Sequence, residues 1–390
     1  MTAYSFDRIL DRRALHAEKW KGIPEDTISM SIADMDFPLM PQVADAVKAA
    51  ADAGEFGYVE LTEADYQAVI DWVKLRHGYE IPRQHLIATP GVLYAARTAM
   101  YALTQPGDKV IVQPPLHTPS IASASMLGRV PVMNWLRYEN GTYTMDLEDL
   151  ENCFRQGAKV LMMCAPHNPT GRVWTREEWL AVGQILERYD GWLICDEIHQ
   201  DILWSGNRHI SPSQIPELAQ RTVSVFSTSK SFNMGGFHIG SAVIPNDAVR
   251  KKVVERFYAH GHVCARPSLL CARAQTAAYR EGAAWFAQMM AYVRSNFDLA
   301  LECLRDTPIR ASMPEGTFLL WADISELGLN AEQLRDVMYR KWKVVADPGS
   351  FYDTTQYMDY TGAEHHIRLN LATSRAQVQE AMERIRCYFR

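Results

Sequence analysis

What the chain does not contain narrows its chemistry first. Its 390 residues include seven cysteines, an odd number with no Cys-x-x-Cys pair, which fits neither a zinc site nor a disulfide framework. They read as reduced thiols of a cytoplasmic protein, and no metal site is expected. Cys164 and Cys195 stand inside apolar runs, where a cysteine serves as a small core residue more often than as a nucleophile. No apolar run approaches the roughly 18 residues of a membrane span. The first residues, Met1 to Arg8, lack the basic and then apolar pattern of a secretory signal. An excess of one charge is missing too: the formal net charge is -6 with 22% charged residues, which gives no electrostatic case for nucleic acid or an anionic membrane. The expected ligands are small molecules. No low-complexity tract, internal repeat or Pro/Ser-rich linker marks a boundary between the two or three domains that the length suggests.

What the chain does contain is a repeated order of strand, loop and helix, the signature of an α/β fold. One unit can be followed residue by residue. Thr175-Arg176-Glu177-Glu178 is a capping-box pattern, and Trp179, Val182, Ile185, Leu186 and Tyr189 follow at helical spacing. That helix should end near Gly191, and the apolar run from Trp192 to Cys195 should be the next strand. Such a crossover builds a parallel sheet, whose ligands bind at the carboxyl ends of the strands.

Three strand ends carry polar chemistry. Val160 to Ala165 runs into Pro166-His167-Asn168-Pro169-Thr170-Gly171, Trp192 to Cys195 runs into Asp196-Glu197-Ile198-His199, and the β-branched run at Val223 runs through Ser227-Thr228-Ser229-Lys230-Ser231-Phe232-Asn233. Singly, Asn-Pro-Thr-Gly is a turn signal, Asp196 a helix cap and Lys230 a solvated lysine. Together, an amine, a carboxylate and an amide are what pyridoxal 5'-phosphate (PLP) needs for its aldehyde, its ring nitrogen and its phenolic oxygen. A fourth segment, Thr89-Pro90-Gly91-Val92-Leu93-Tyr94, leads into an apolar helix through about Leu103; a helix N-terminus with a glycine lets main-chain N–H groups approach an anion.

In this order the strand ends resemble those of fold-type I PLP-dependent enzymes, the aspartate aminotransferase superfamily. Ala33-Asp34-Met35-Asp36-Phe37, Phe56-Gly57-Tyr58, Asn168-Pro169-Thr170-Gly171-Arg172-Val173-Trp174, Asp196-Glu197-Ile198-His199 and Ser229-Lys230-Ser231-Phe232-Asn233 resemble the cystathionine β-lyase-like branch, the carbon-sulfur lyases. The resemblance covers nearly the whole chain. Asp-Met-Asp-Phe and Asp-Glu-Ile-His are the more specific elements, since most aminotransferases of the superfamily carry a tyrosine where His199 stands.

The resemblance implies a large PLP-binding domain over residues 50–283, with a mostly parallel central sheet flanked by helices. Residues 1–49 and 284–390 would form an N-terminal arm and a smaller α+β domain. Lys230 would hold the cofactor and, once freed, act as general base; Asp196 would keep the ring nitrogen protonated. Asn168 and His199 would complete the ring contacts, and Gly91, Val92, Leu93 and Ser227 would hold the phosphate. Tyr58 matches a catalytic-site tyrosine that reaches the phosphate of the neighbouring subunit, which implies a homodimer with shared active sites. Within His366-Ile367-Arg368-Leu369-Asn370, Arg368 matches the arginine for the substrate carboxylate, a role suited to its planar fork. In Pro114-Pro115-Leu116-His117, His117 stands where the lyases usually stack a tyrosine on the ring, and a histidine ordinarily titrates near neutral pH. His238 stands where many aminotransferases place a phosphate-binding arginine, which this branch often lacks.

The implied activity is carbon-sulfur β-elimination on cystathionine or cysteine S-conjugates. An aminotransferase is the alternative, because both fates use the same lysine, aspartate, asparagine and arginine. A regulatory binding protein of the same fold is a third reading, opposed by the presence of all four residues. Ser227-Thr228-Ser229-Lys230 also satisfies Ser-x-x-Lys, but no Lys-Thr-Gly follows, which removes a serine-acyl enzyme.

Overall fold

A computed structural model describes residues 3–54, 56–139, 141–204, 206–259, 267–352 and 363–390. Its central sheet has seven strands: β1 (Leu86–Thr89), β2 (Lys109–Val112), β3 (Val130–Met133), β4 (Ala158–Cys164), β5 (Trp192–Asp196), β6 (Thr222–Phe226) and β7 (Gly240–Val243). In space they run β1-β7-β6-β5-β4-β2-β3. All neighbours are parallel except β7, which is antiparallel to both β1 and β6. The expected mostly parallel α/β sheet is therefore present.

Side chains alternate across a strand, and here the alternation divides two cores. Val110, Val112, Val160, Met162, Ile194, Val223 and Val225 face one layer, formed with α3 (Val92–Leu103), α4 (Thr118–Met126) and α7 (Asp247–Ala259). Ile111, Leu161, Met163, Leu193 and Cys195 face the other, with α5 (Leu147–Arg155) and α6 (Arg176–Arg188). Both faces being covered explains why the strands read as continuous apolar runs. Helix α6 starts as its sequence requires: Thr175 Oγ1 accepts from Glu178 N, and Glu178 returns a carboxylate to Thr175 N. Cys164 and Cys195 are buried with their thiols pushed well up by burial, as core residues should be; Cys264 lies outside the described residues.

A third core joins α1 (Pro41–Asp52), α2 (Glu63–His77), α8 (Leu269–Glu281), α9 (Ala283–Leu304) and α10 (Arg375–Cys387). It also takes in a three-stranded sheet of β8 (Leu319–Asp323), β10 (His366–Asn370) and β9 (Asp347–Pro348), in that order. Among the described residues no helix is long and apolar enough to cross a membrane.

Candidate active site

Register carries three polar groups to one end of the sheet. Cys164 lies opposite Asp196, and Asp196 opposite Val225, so the loop holding Asn168, the end of β5 and the loop holding Lys230 are neighbours. The lysine turn is anchored by Phe232, which is fully buried against Trp72 with ring centroids 5.1 Å apart. Ser231 donates to Asp201 Oδ2 at 2.5 Å. Lys230 itself donates from Nζ to the Ala33 carbonyl at 2.5 Å, so the Ala33-Asp34-Met35-Asp36-Phe37 segment forms a wall of the site.

That wall is held by cations from the N-terminal arm. Arg12 pairs with Asp34 and, at 3.1 Å, with Asp36, and buried Lys19 lies 2.6 Å from the other Asp36 oxygen. Asn370 Nδ2, on β10, donates to the carbonyls of Ile32 and Asp34 at 2.7 and 2.8 Å.

Arg368 enters from the smaller sheet. Its Nη1 donates to Asn168 Oδ1 at 2.7 Å and its Nη2 to Asp347 Oδ2 at 2.5 Å, while its guanidinium carbon sits 5.0 Å from the Tyr352 ring centroid. The Asn168 loop thus touches both sheets. His117, at the N-cap of α4, joins the same group because its N–H donates to Asn168 O at 3.2 Å.

Burial and these neighbours displace the ionisation of the cluster. Burial pushes the Lys230 amine down from 10.5 to about 8; Arg368 adds to the fall, and Asp34 and Asp196 oppose it. Burial pushes Asp196 up from 3.8 to about 7 against the Ile198 N–H and Lys230, with Glu197 adding to the rise. His117 falls to about 3 through burial, Arg368 and Lys230. The near-neutral titration expected of His117 is therefore corrected: its imidazole is held neutral by desolvation and two cations. His199 is held well below its usual value by burial and then by Lys230, Arg368 and His117. Its Nδ1 is buried and makes no hydrogen bond.

The expected anion cradle has the right local form. Gly91 stands at the N-cap of α3 with φ of 141°, and no side chain caps that end, so the N-terminal N–H groups of the helix remain for a ligand. A β-carbon at Gly91 would meet nothing within 4 Å; the glycine is there for its backbone angle. Ser227 Oγ lies 2.6 Å from Ser229 Oγ and accepts from Ser229 N at 3.0 Å. Tyr58 is 84% exposed on the segment between α1 and α2, and His238 is exposed just before β7. Among the described residues no hydrogen bond joins either one to Lys230.

These residues fit PLP: an amine with a lowered pKa, a buried carboxylate lacking a cation at bonding distance, an unpartnered buried imidazole nitrogen and an uncapped helix N-terminus. Residues 25–385 match the family of class I and II aminotransferases. The chain belongs to that family. Within it, cystathionine beta-lyase PatB of Bacillus subtilis is 31% identical over 391 residues, spanning 98% of this chain and 99% of PatB. Cystalysin from Treponema denticola, whose crystal structure contains a pyridoxal 5'-phosphate cofactor, superposes with a TM-score of 0.93 at 28% identity over 99% of both chains. The PLP-bound C-S lyase from Staphylococcus hominis gives 0.89 at 28% identity, covering 100% of this chain and 98% of that one.

Sequence reading within this family framework missed a layer of support under the site. Asp201 accepts from Trp72 Nε1, Ser231 Oγ and His77, and Glu197 pairs with His209 at 2.7 Å and accepts from Ser211. The two imidazoles meet edge to face, with centroids 5.4 Å apart. Glu197 was visible as part of Asp-Glu-Ile-His. His77 and His209 are lone histidines with no spacing signal, and Asp347 sits in an Asp-Pro-Gly segment that reads only as a turn.

Proposed function

We propose that the chain is a PLP-dependent carbon-sulfur β-lyase, converting cystathionine or cysteine S-conjugates and water to pyruvate, ammonia and a thiol. The convergence of Lys230 and Asp196 at adjoining strand ends with Arg368 bonded to Asn168 carries the PLP chemistry, and the full-length likeness to a cystathionine beta-lyase carries the choice of lyase. When bound, PLP supplies an aldehyde that condenses with amines and a ring that accepts the electron pair left by the departing α-proton.

The chain's own residues then have defined tasks. Lys230 Nζ, with a pKa near 8, is neutral in a useful fraction at physiological pH and takes the α-proton as a general base. Burial pushes Asp196 up to about 7; a protonated ring nitrogen beside it would favour the carboxylate, which would in turn hold that proton on the nitrogen. His199 and the Asn168 amide would hold the ring's phenolic oxygen. The N–H groups at Gly91, Val92 and Leu93 would hold the phosphate with Ser227, and His238 would border it. Arg368 orients the substrate carboxylate, and His117 would cover the ring face as a neutral imidazole. Loss of the thiolate from the β-carbon follows because the C–H electrons can move toward the C–S bond.

The lyase outcome is supported by the full-length likeness to PatB and to the C-S lyase structures. The same proposal includes a cytoplasmic homodimer in which Tyr58 reaches the partner's phosphate site, and a division into residues 50–283 and residues 1–49 with 284–390. The deciding experiment incubates purified enzyme with cystathionine, cystine and S-alkylcysteines. Equimolar pyruvate and thiol are expected; amino transfer to a keto acid without thiol release would replace the lyase by the aminotransferase reading.

A further inference from the structure

Arg368 is already occupied by a carboxylate of its own chain. Asp347 Oδ2 receives Arg368 Nη2 at 2.5 Å, the Ile32 main-chain N–H at 2.9 Å and the Tyr352 hydroxyl at 3.4 Å. A guanidinium, a main-chain N–H and a hydroxyl converging on one oxygen form a carboxylate receptor. Both partners are nearly removed from solvent, with side chains 5% and 9% exposed. Among the described residues no other acid pairs with Arg368.

The receptor is built at a conformational cost. Ile32 has φ of 52°, a left-handed conformation that β-branched residues rarely adopt. Asn370 holds the Ile32 and Asp34 carbonyls, which keeps the Ile32 N–H directed at Asp347. The same turn presents the Ala33 carbonyl to Lys230.

An incoming carboxylate therefore meets a guanidinium whose two terminal nitrogens are engaged, one by Asn168 and one by Asp347. Of its five N–H groups, each terminal nitrogen has given one away, and Nε is buried without a hydrogen bond. A ligand carboxylate held by two parallel N–H bonds that include Nη2 shares that nitrogen with Asp347 and meets its negative charge. The positive charge is also neutralised at rest, which lowers the attraction for a second anion in a poorly hydrated site.

We propose that Asp347 is a resident competitor in the carboxylate clamp: substrate displaces it from Arg368 Nη2, and this exchange sets the affinity threshold for α-carboxylates. Released from the arginine, Asp347 keeps the Ile32 N–H. The inference rests on the assignment of Arg368 as the clamp.

The test uses holoenzyme and calorimetric titration with 3-(methylthio)propanoate, a carboxylate without an amine, and with its neutral amide. Asp347→Asn keeps an acceptor for Ile32 but removes the competing charge. It should bind the carboxylate roughly tenfold more tightly than wild type, the scale of one charge-assisted hydrogen bond, and bind the amide equally. Unchanged or weaker carboxylate binding would overturn the proposal and make Asp347 an aligner of Arg368. If the asparagine variant does not fold, Asp347→Ser, too short to reach the arginine, is read by the same criterion. Arg368→Gln separates the two levels: lost carboxylate binding upholds the clamp whatever Asp347 does, whereas wild-type binding would remove the clamp and the competitor together.

Discussion

Lys230 and Asp196 are each held away from their ordinary charge by burial, in opposite directions. The consequence for Lys230 can be measured without turnover. In cofactor-free enzyme, reductive methylation followed by peptide mass spectrometry should show Lys230 reacting with an apparent pKa of about 8, while exposed lysines follow the ordinary value near 10.4. A Lys230 profile matching the surface lysines would mean that the amine is not desolvated. His117 gives a second expectation at this scale. Because its imidazole is neutral down to about 3, it contributes no limb to the activity profile between pH 6 and about 8. His117→Tyr should therefore leave the pH limbs in place while retaining or raising thiol release. A limb that disappears in the tyrosine variant would instead identify His117 as a titrating acid or base.

At the scale of elements, two helix starts do different work. The N-terminus of α3 has no side-chain cap and begins at a glycine with φ of 141°, whereas α6 closes on a reciprocal Thr175 and Glu178 cap. Gly91→Ala should cost about 1–3 kcal/mol of strain and weaken PLP retention on dialysis, because the strain falls on the N–H groups that meet the phosphate. Thr175→Ala should cost about 1 kcal/mol in denaturant unfolding and leave PLP affinity unchanged. Equal loss of cofactor in both variants would contradict the separation.

Elements also explain which parts were legible. Asn168, Asp196 and Lys230 could be found because adjacent parallel strands bring successive loops to one end, so order in sequence becomes proximity in space. The capping box and the limits of α6 were readable for the same local reason. Arg368 was legible only through resemblance, since antiparallel pairing of β10 with β8 and β9 depends on partners distant in sequence. Asp347 and the His77–Asp201 and His209–Glu197 pairs were not legible, because long-range packing, not spacing, joins them.

For the whole molecule, the exposure of Tyr58 makes a homodimer testable by complementation. Lys230→Ala and Tyr58→Phe should each lose activity in pure form. In a mixed dimer of the two, one site has both native residues. Random pairing of equal amounts should therefore restore roughly a quarter of wild-type activity, the statistical share for a two-fold assembly with shared sites. No recovery after denaturation and joint refolding would place Tyr58 and Lys230 in the same subunit's site or remove Tyr58 from it.

The position of β7 between β1 and β6 bears on how a ribosome releases this chain. β1 emerges early, but among the described residues its sheet neighbour is β7 alone, so that edge stays open until residue 243 has been made. Once residue 243 has itself left the exit tunnel, the loops of Asn168, Asp196 and Lys230 are outside it too, while Arg368 is still to come. Synthesis from the N-terminus thus delivers the groups that hold the cofactor before the one that orients a substrate. An arrested nascent chain should acquire the first capacity without the second.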